Sequence, residues 1–139
     1  MARHLVVDDI QFRHDKFREI LVPLGHEIDH AYTVTEAVTF MRERMIMVDP
    51  PDPYGVIFLD HDIDSGYDRR DVVHFTRWLL ANDWLVAALK KAGTIFFVHS
   101  QNSVGAQNLR FDIAAHGFPV KVCPFKGDPP VGSSLPIPE

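Results

Sequence analysis

Three apolar stretches of this 139-residue chain each run directly into side chains that can do chemistry. Leu5-Val6-Val7 leads into Asp8-Asp9, Val56-Ile57-Phe58-Leu59 into Asp60-His61-Asp62, and Ile95-Phe96-Phe97-Val98 into His99-Ser100-Gln101-Asn102. Asp8, Asp9 and Asp60 offer hard oxygen donors of the kind that hold Mg²⁺ or Mn²⁺, cations that keep some waters and bridge to phosphate. Gathered without a positive neighbour, such carboxylates repel one another. The competing reading has one Asp capping the first helix and another capping the helix after the third strand. His61 and His99 add imidazoles able to take or give a proton near neutral pH. Their alternative is a pair of hydrogen-bonded structural histidines. A Zn²⁺ site built on His61, His99 and an Asp is weaker, since the close ligand spacing of structural zinc sites is missing.

Ser100 and Asn102 can donate to phosphate oxygens, and a helix starting near Ser103 adds its amide N–H groups. Gly105 and Ala106 would let that helix approach a ligand or the sheet closely, whereas Ser103 could simply be its N-cap. Arg13 follows the first strand closely enough to reach a phosphate, with plain surface solvation as the alternative. Asp62, Gln101, Gly105 and Lys126 are secondary candidates. Neither a glycine-rich nucleotide fingerprint nor a Walker loop is present.

Uninterrupted apolar runs of this kind suit strands covered on both faces by helices, as in a parallel α/β sheet. Five are expected: about residues 4–8, a less hydrophobic and therefore edge segment at 27–32, then 56–60, 94–98 and 119–124. Helical patterns lie between them. Phe12, Phe17, Ile20, Leu21 and Leu24 form one stripe, ended by Pro23 and Gly25. A second helix starts at Thr35-Glu36-Ala37, where Val38 stands at the place a capping box would need Glu or Gln. It continues through Val38, Met41, Met45 and Val48 and stops at the proline cluster of 49–53. A third pattern spans 69–91, anchored by Val72, Phe75, Leu79, Leu80, Leu85, Val86 and Leu89 and divided at Asn82-Asp83, with Gly93 as its terminator. Trp78 and Trp84 read as packing residues. Ser103 to Ala115 reads as the last helix, closed by Gly117. The fold class is α/β, a doubly wound five-stranded parallel sheet of strand order 2-1-3-4-5. Ligands of such sheets bind beyond the carboxyl ends of the strands, where Asp8, Asp60 and His99 fall.

The length suits one domain of about 100–150 residues. It covers 1–126, and the proline- and glycine-rich 127–139 forms a C-terminal arm. A net charge of −5 without a basic block argues against tracking of long duplex nucleic acid, which requires clustered Lys and Arg. A small nucleotide or an exposed RNA end stays compatible. Cys123 is the single cysteine, so no internal disulfide forms, which fits a reducing compartment. With no signal-like or membrane-length apolar run, the expectation is a soluble, cytoplasmic protein without a membrane partner.

Asp8-Asp9, Asp60, Ser100 and a late lysine resemble, in order and spacing, the response-regulator receiver domain across about residues 3–126. That resemblance implies a flavodoxin-like fold, a divalent ion on the first acidic pair, phosphate acceptance at Asp60, and contacts to the phosphoryl group from Ser100 and a lysine. The Lys-Pro pair is absent: Lys126 is followed by Gly127. The Leu-Asp-His-Asp pattern at 59–62 and the His-Ser-x-Asn-x-x-Gly-Ala pattern at 99–106 are closer to a divergent receiver-like family assigned to cyclic-phosphate processing in phages and bacteria. This closer resemblance implies a phosphoesterase acting on a cyclic phosphate of a nucleotide or RNA end. His61 and His99 would share acid and base roles with Asp60 orienting an imidazole or holding the metal, and Ser100, Asn102 and Arg13 would bind phosphate. The alternative is a non-enzymatic phosphoacceptor or pseudo-receiver that signals to a protein partner.

Overall fold

The structure is a computed structural model that describes residues 2–60, 72–99 and 103–123. His61, Asp62, Arg69, Arg70, Ser100, Gln101, Asn102, Lys126 and the 127–139 arm lie outside the described residues. Strands β1 (Arg3–Val7), β2 (Glu27–Ala31), β3 (Val56–Leu59), β4 (Ile95–Val98) and β5 (Val120–Val122) form one parallel sheet in the order β2-β1-β3-β4-β5. Between them run α1 (Gln11–Leu21), α2 (Val34–Met41), α3 (Val72–Leu80), α4 (Asp83–Ala92) and α5 (Ser103–Ala115). This is the doubly wound parallel sheet that the alternation of apolar runs and helical stripes implies, with the flavodoxin-like order expected from the receiver resemblance.

The period-two alternation of strand side chains divides the core. Leu5, Val7, Ile57, Leu59, Phe96 and Val98 point to one face, where they pack with α2, α3, α4 and α5. Val6, Val56, Phe58 and Phe97 point to the other, against Phe17 and Leu21 of α1. By the same alternation, the residues that extend β1, β3 and β4 by one position, Asp8, Asp60 and His99, belong on the α1 face. The ladder carries on through them: Asp60 N donates to Val7 O at 2.9 Å and His99 N to Leu59 O at 2.9 Å.

Local signals explain most element ends. Asn82 separates α3 from α4 by accepting from Leu85 N at 3.0 Å, and Gly93 ends α4 in the left-handed region at φ 77°. Other details depart from the sequence reading. α2 is capped by Thr33, whose Oγ1 accepts from Glu36 N at 3.0 Å, while Glu36 Oε1 accepts from Tyr32 N at 2.9 Å. This capping-box-like arrangement begins two residues before the predicted start. Phe12 and Leu24 are exposed (54% and 69%) and not part of the α1 core stripe. The inward positions are His14, Phe17 and Leu21, because the first turn of α1 lies over the polar end of the sheet. Val48 is exposed since the α2 helical path, widened into a π-type turn over Arg42–Ile46, ends before it. Trp84 is exposed on the first turn of α4, whereas Trp78 stacks on Phe75 and lies beneath the Arg42 guanidinium. The widened turn carries Arg44 to Asp29, which also accepts from Tyr54 Oη at 2.7 Å and pairs with Arg3.

Two histidine pairs, one buried and one half-buried, lie on or beside the α1 face. His4 Nδ1 accepts from Val56 N at 3.1 Å, so its proton sits on Nε2, which donates to His26 Nδ1 at 3.2 Å. His14 Nε2 lies 2.7 Å from the carbonyl oxygen of Asp8, and its Nδ1 lies 2.7 Å from His30 Nδ1. Since a carbonyl only accepts, His14 carries its proton on Nε2 and His30 donates from Nδ1. Burial, and then the neighbouring His26, lowers the pKa of His4 to about 4; burial, and then His14, lowers that of His30 to about 4. Both groups take up protons more readily in the unfolded chain, so stability is full above pH 6.5 and falls as pH drops toward 4. Urea titrations should show a loss on the order of 2 kcal/mol for buried His4 alone between pH 7 and 5. Identical unfolding midpoints at the two pH values would contradict this assignment.

Candidate functional site

Asp8 directly follows β1, and the chain then bends sharply into α1. Asp8 makes this bend itself: its Oδ1 accepts from Ile10 N at 2.9 Å, an Asx-type turn. This bond shapes the turn before α1 and does not cap the helix, whose N-cap is Ile10 without a side-chain cap bond, so Asp8 is not the helix cap that the competing reading expected. Its second oxygen is left for other partners. Asp8 Oδ2 lies 2.8 Å from His99 Nε2 and 3.3 Å from Arg13 Nη1. β1 and β4 are separated by β3, so the His99 ring spans the width of a strand to reach Asp8. It rests against the Phe17 ring at a centroid distance of 5.4 Å. Asp8 and His99 are both fully buried.

Asp60, at the end of β3, is 3% exposed, and its Oδ2 accepts from the same Arg13 Nη1 at 3.0 Å. Asp9 completes the group: one carboxylate oxygen from each of Asp8, Asp9 and Asp60 lies within 4.8 Å of the others. These are hard oxygen donors converging from two strand ends, and the donor set fits Mg²⁺ or Mn²⁺ better than Zn²⁺, which favours nitrogen and sulfur.

The electrostatics centre on Asp8. Burial alone would raise its pKa, yet the hydrogen bond and charge of His99, the Ile10 N–H and Arg13 together hold it below the ordinary carboxylate value. Asp8 is thus an anion kept in a dry place by directed donors. Of the sequence candidates, Asp8, Asp9, Asp60, His99 and Arg13 meet at one site. Gly105 is buried within α5. His61, Asp62, Ser100, Gln101, Asn102 and Lys126 fall outside the described residues.

His14 was missed. It donates to the Asp8 carbonyl from the first inward position of α1 and fixes the bend from below. The available signal was a histidine where an α1 core residue should stand, two positions from the nominal apolar stripe. The separate His pairing with His30, sixteen residues away, has no sequence signature.

His99 is bonded to Asp8 where the outer partner of a metal ligand would stand if the acidic cluster held an ion. Replacing it by alanine takes a buried donor from the carboxylate, and Mn²⁺ affinity measured by calorimetry should fall 10- to 100-fold, the usual cost of losing such a partner, roughly. An unchanged affinity in a folded His99→Ala protein would detach His99 from metal binding.

Comparisons with known proteins agree with this fold. The chain is similar in fold to the non-phosphorylated HemR receiver domain from Leptospira biflexa, with 18% identity over 89% of this chain and 82% of that one, at a TM-score of 0.60. A response regulator receiver protein from Pseudomonas putida gives 18% identity over 86% and 82% of the two chains, also at 0.60. The Mn²⁺-bound form of the response regulator Rcp1 gives 13% identity over 89% and 81%, at 0.58. No curated protein matches the chain. Among the described residues, no helix is long and apolar enough to cross a membrane. Residues 3–114, from the start of β1 into α5, match the cyclic-phosphate processing receiver domain, and the chain belongs to that family.

Proposed function

We propose that this protein is a phosphoesterase that opens a cyclic phosphate on a nucleotide or an RNA end. The observation that carries the reading is the buried Asp8–His99 pair beside Asp9 and Asp60 at the carboxyl edge of the sheet. An acceptor aspartate that only receives phosphate has no need of an imidazole bonded to the carboxylate next to it. Asp8, Asp9 and Asp60 would hold Mg²⁺ or Mn²⁺, which would neutralise charge on the phosphoryl oxygens. Membership of a family described as cyclic-phosphate processing supports this reading, and the Mn²⁺-bound form of a receiver of like fold supports the choice of cation.

The reaction adds one water across one P–O bond of the ring. Its oxygen forms a new bond to phosphorus, the bond to one ring oxygen breaks, and that oxygen leaves carrying a proton. His99 holds Asp8 in place. His61, which follows Asp60 directly, supplies acid–base chemistry. Arg13, Ser100 and Asn102 bind the phosphate oxygens. The net charge of −5 favours a small substrate or a free end over a long duplex. A panel of 2′,3′- and 3′,5′-cyclic nucleotides and cyclic-phosphate-ended RNA, followed by phosphorus NMR with and without Mg²⁺, should show hydrolysis. The rate should fall at least ~100-fold in His61→Ala, the usual scale of acid–base assistance. No turnover of any member of the panel would remove the enzymatic reading.

A second reading has its own observation. Asp60 stands at the end of the central strand beside an acidic pair, where a receiver places its phosphoacceptor, and the fold is that of receivers. Here the chain would be a signalling domain that presents its phosphorylated state to a protein partner. Incubation with acetyl phosphate and Mg²⁺ followed by intact-mass measurement separates the two. A stoichiometric adduct that disappears in Asp60→Asn marks signalling, and its absence counts against it.

A further inference from the structure

One nitrogen, Arg13 Nη1, bridges Asp8 and Asp60 at 3.3 and 3.0 Å. We infer that Arg13 is a built-in stand-in for the divalent cation, exchanging with it and then turning to the phosphate of the ligand, so that anion binding follows metal binding in a fixed order. This rests on the metal-binding reading above and adds the order of events at that site.

Charge, together with the crowding of Asp8 Oδ2, argues for exchange over coexistence. A carboxylate offers about two acceptor directions on each oxygen. Oδ1 accepts from Ile10 N in one of its directions, and both directions of Oδ2 are taken, by His99 and Arg13. His99 is fully buried and packed on Phe17, whereas the Arg13 side chain is 16% exposed at the edge of the site. The place on Oδ2 that can be vacated is therefore the one held by Arg13. An ion ligated by Asp8 and Asp60 draws on the same two carboxylates, and its charge repels the guanidinium. Arg13 extends from the first turn of α1 on a long side chain whose planar fork suits phosphate oxygens. Once released, it stays within reach of a phosphoryl group resting on the acidic cluster. Arg13 is thus a binding residue with two stations.

The exchange makes a signed prediction, because a competing occupant lowers apparent affinity in proportion to its occupancy. Calorimetric titration with Mg²⁺ should show Arg13→Gln binding the ion about 10-fold more tightly than the wild type, as expected if the bridge holds roughly 90% of the metal-free molecules. Inorganic phosphate should bind the wild type at least ~10-fold more tightly in saturating Mg²⁺ than in EDTA, and Arg13→Gln should lose that gain. Guanidinium NMR of the wild type supplies a reading that requires no variant: the Arg13 side-chain signal should shift saturably along the same Mg²⁺ isotherm. Equal Mg²⁺ affinity in both proteins, abolished by Asp60→Asn, would overturn the exchange and leave the metal site standing. An Arg13 signal unmoved at saturating Mg²⁺ would do the same. Absence of Mg²⁺ binding in both proteins would overturn the metal reading itself.

Discussion

The carboxylate of Asp8 is the constraint on which the site depends. A buried anion is costly unless directed donors replace the water it has lost. Asp8 collects Ile10 N, His99 Nε2 and Arg13 Nη1, and these three donors tie the β1–α1 bend, the end of β4 and the first turn of α1 to one point. His14 adds a fourth tie through the Asp8 carbonyl. Removing any one partner leaves the charge under-compensated in a place that water does not reach. The arrangement therefore fixes the outlines of the sheet edge as well as its chemistry. Asp60 enters the same network through Arg13, so the central strand is registered to α1 electrostatically as well as by the packing of Phe58 on Phe17.

The sheet itself was readable because β3 and β4 are apolar at every position, a pattern that requires cover on both faces. The period of two then carries Asp8, Asp60 and His99 to a common face, which follows from sequence alone once the strands are in register. Helix existence was equally plain, and so were the breaks at Asn82 and Gly93, where the side chain or the left-handed backbone does the work locally. What the sequence could not give was helical phase. The α1 stripe seemed to include Phe12 and Leu24, but the helix begins over polar strand ends, so its first inward residue is His14. Leu24 follows the helix in a short 3-10 turn and meets solvent. The Thr33–Glu36 cap was overlooked because the apolar periodicity suggested a start two residues later.

The site was partly legible. The acidic trio was visible because like charges at strand ends require a partner. The partner found among the described residues is Arg13, a side chain that the sequence left between phosphate and solvent. Pairings set by tertiary geometry were invisible: His99 with Asp8 is separated by 91 residues, and His4 with His26 by 22. His99 also takes on a different character in the structure. From sequence it is an imidazole at a strand end, either an acid–base group for a substrate or a hydrogen-bonded structural histidine. In the fold it is fully enclosed and its Nε2 is turned to Asp8, so its influence on a ligand passes through that carboxylate.

We propose that the carboxyl edge of this sheet is a divalent-cation site organised by Asp8. Anomalous diffraction from crystals soaked in Mn²⁺ tests it most directly, because it locates the ion without recourse to activity. A manganese peak is expected at coordination distance from Asp8, Asp9 and Asp60, with His99 still bonded to Asp8 and Arg13 withdrawn from the Asp8–Asp60 bridge. A saturated crystal without a peak there, or with Arg13 still bridging the two carboxylates beside a bound ion, would contradict it.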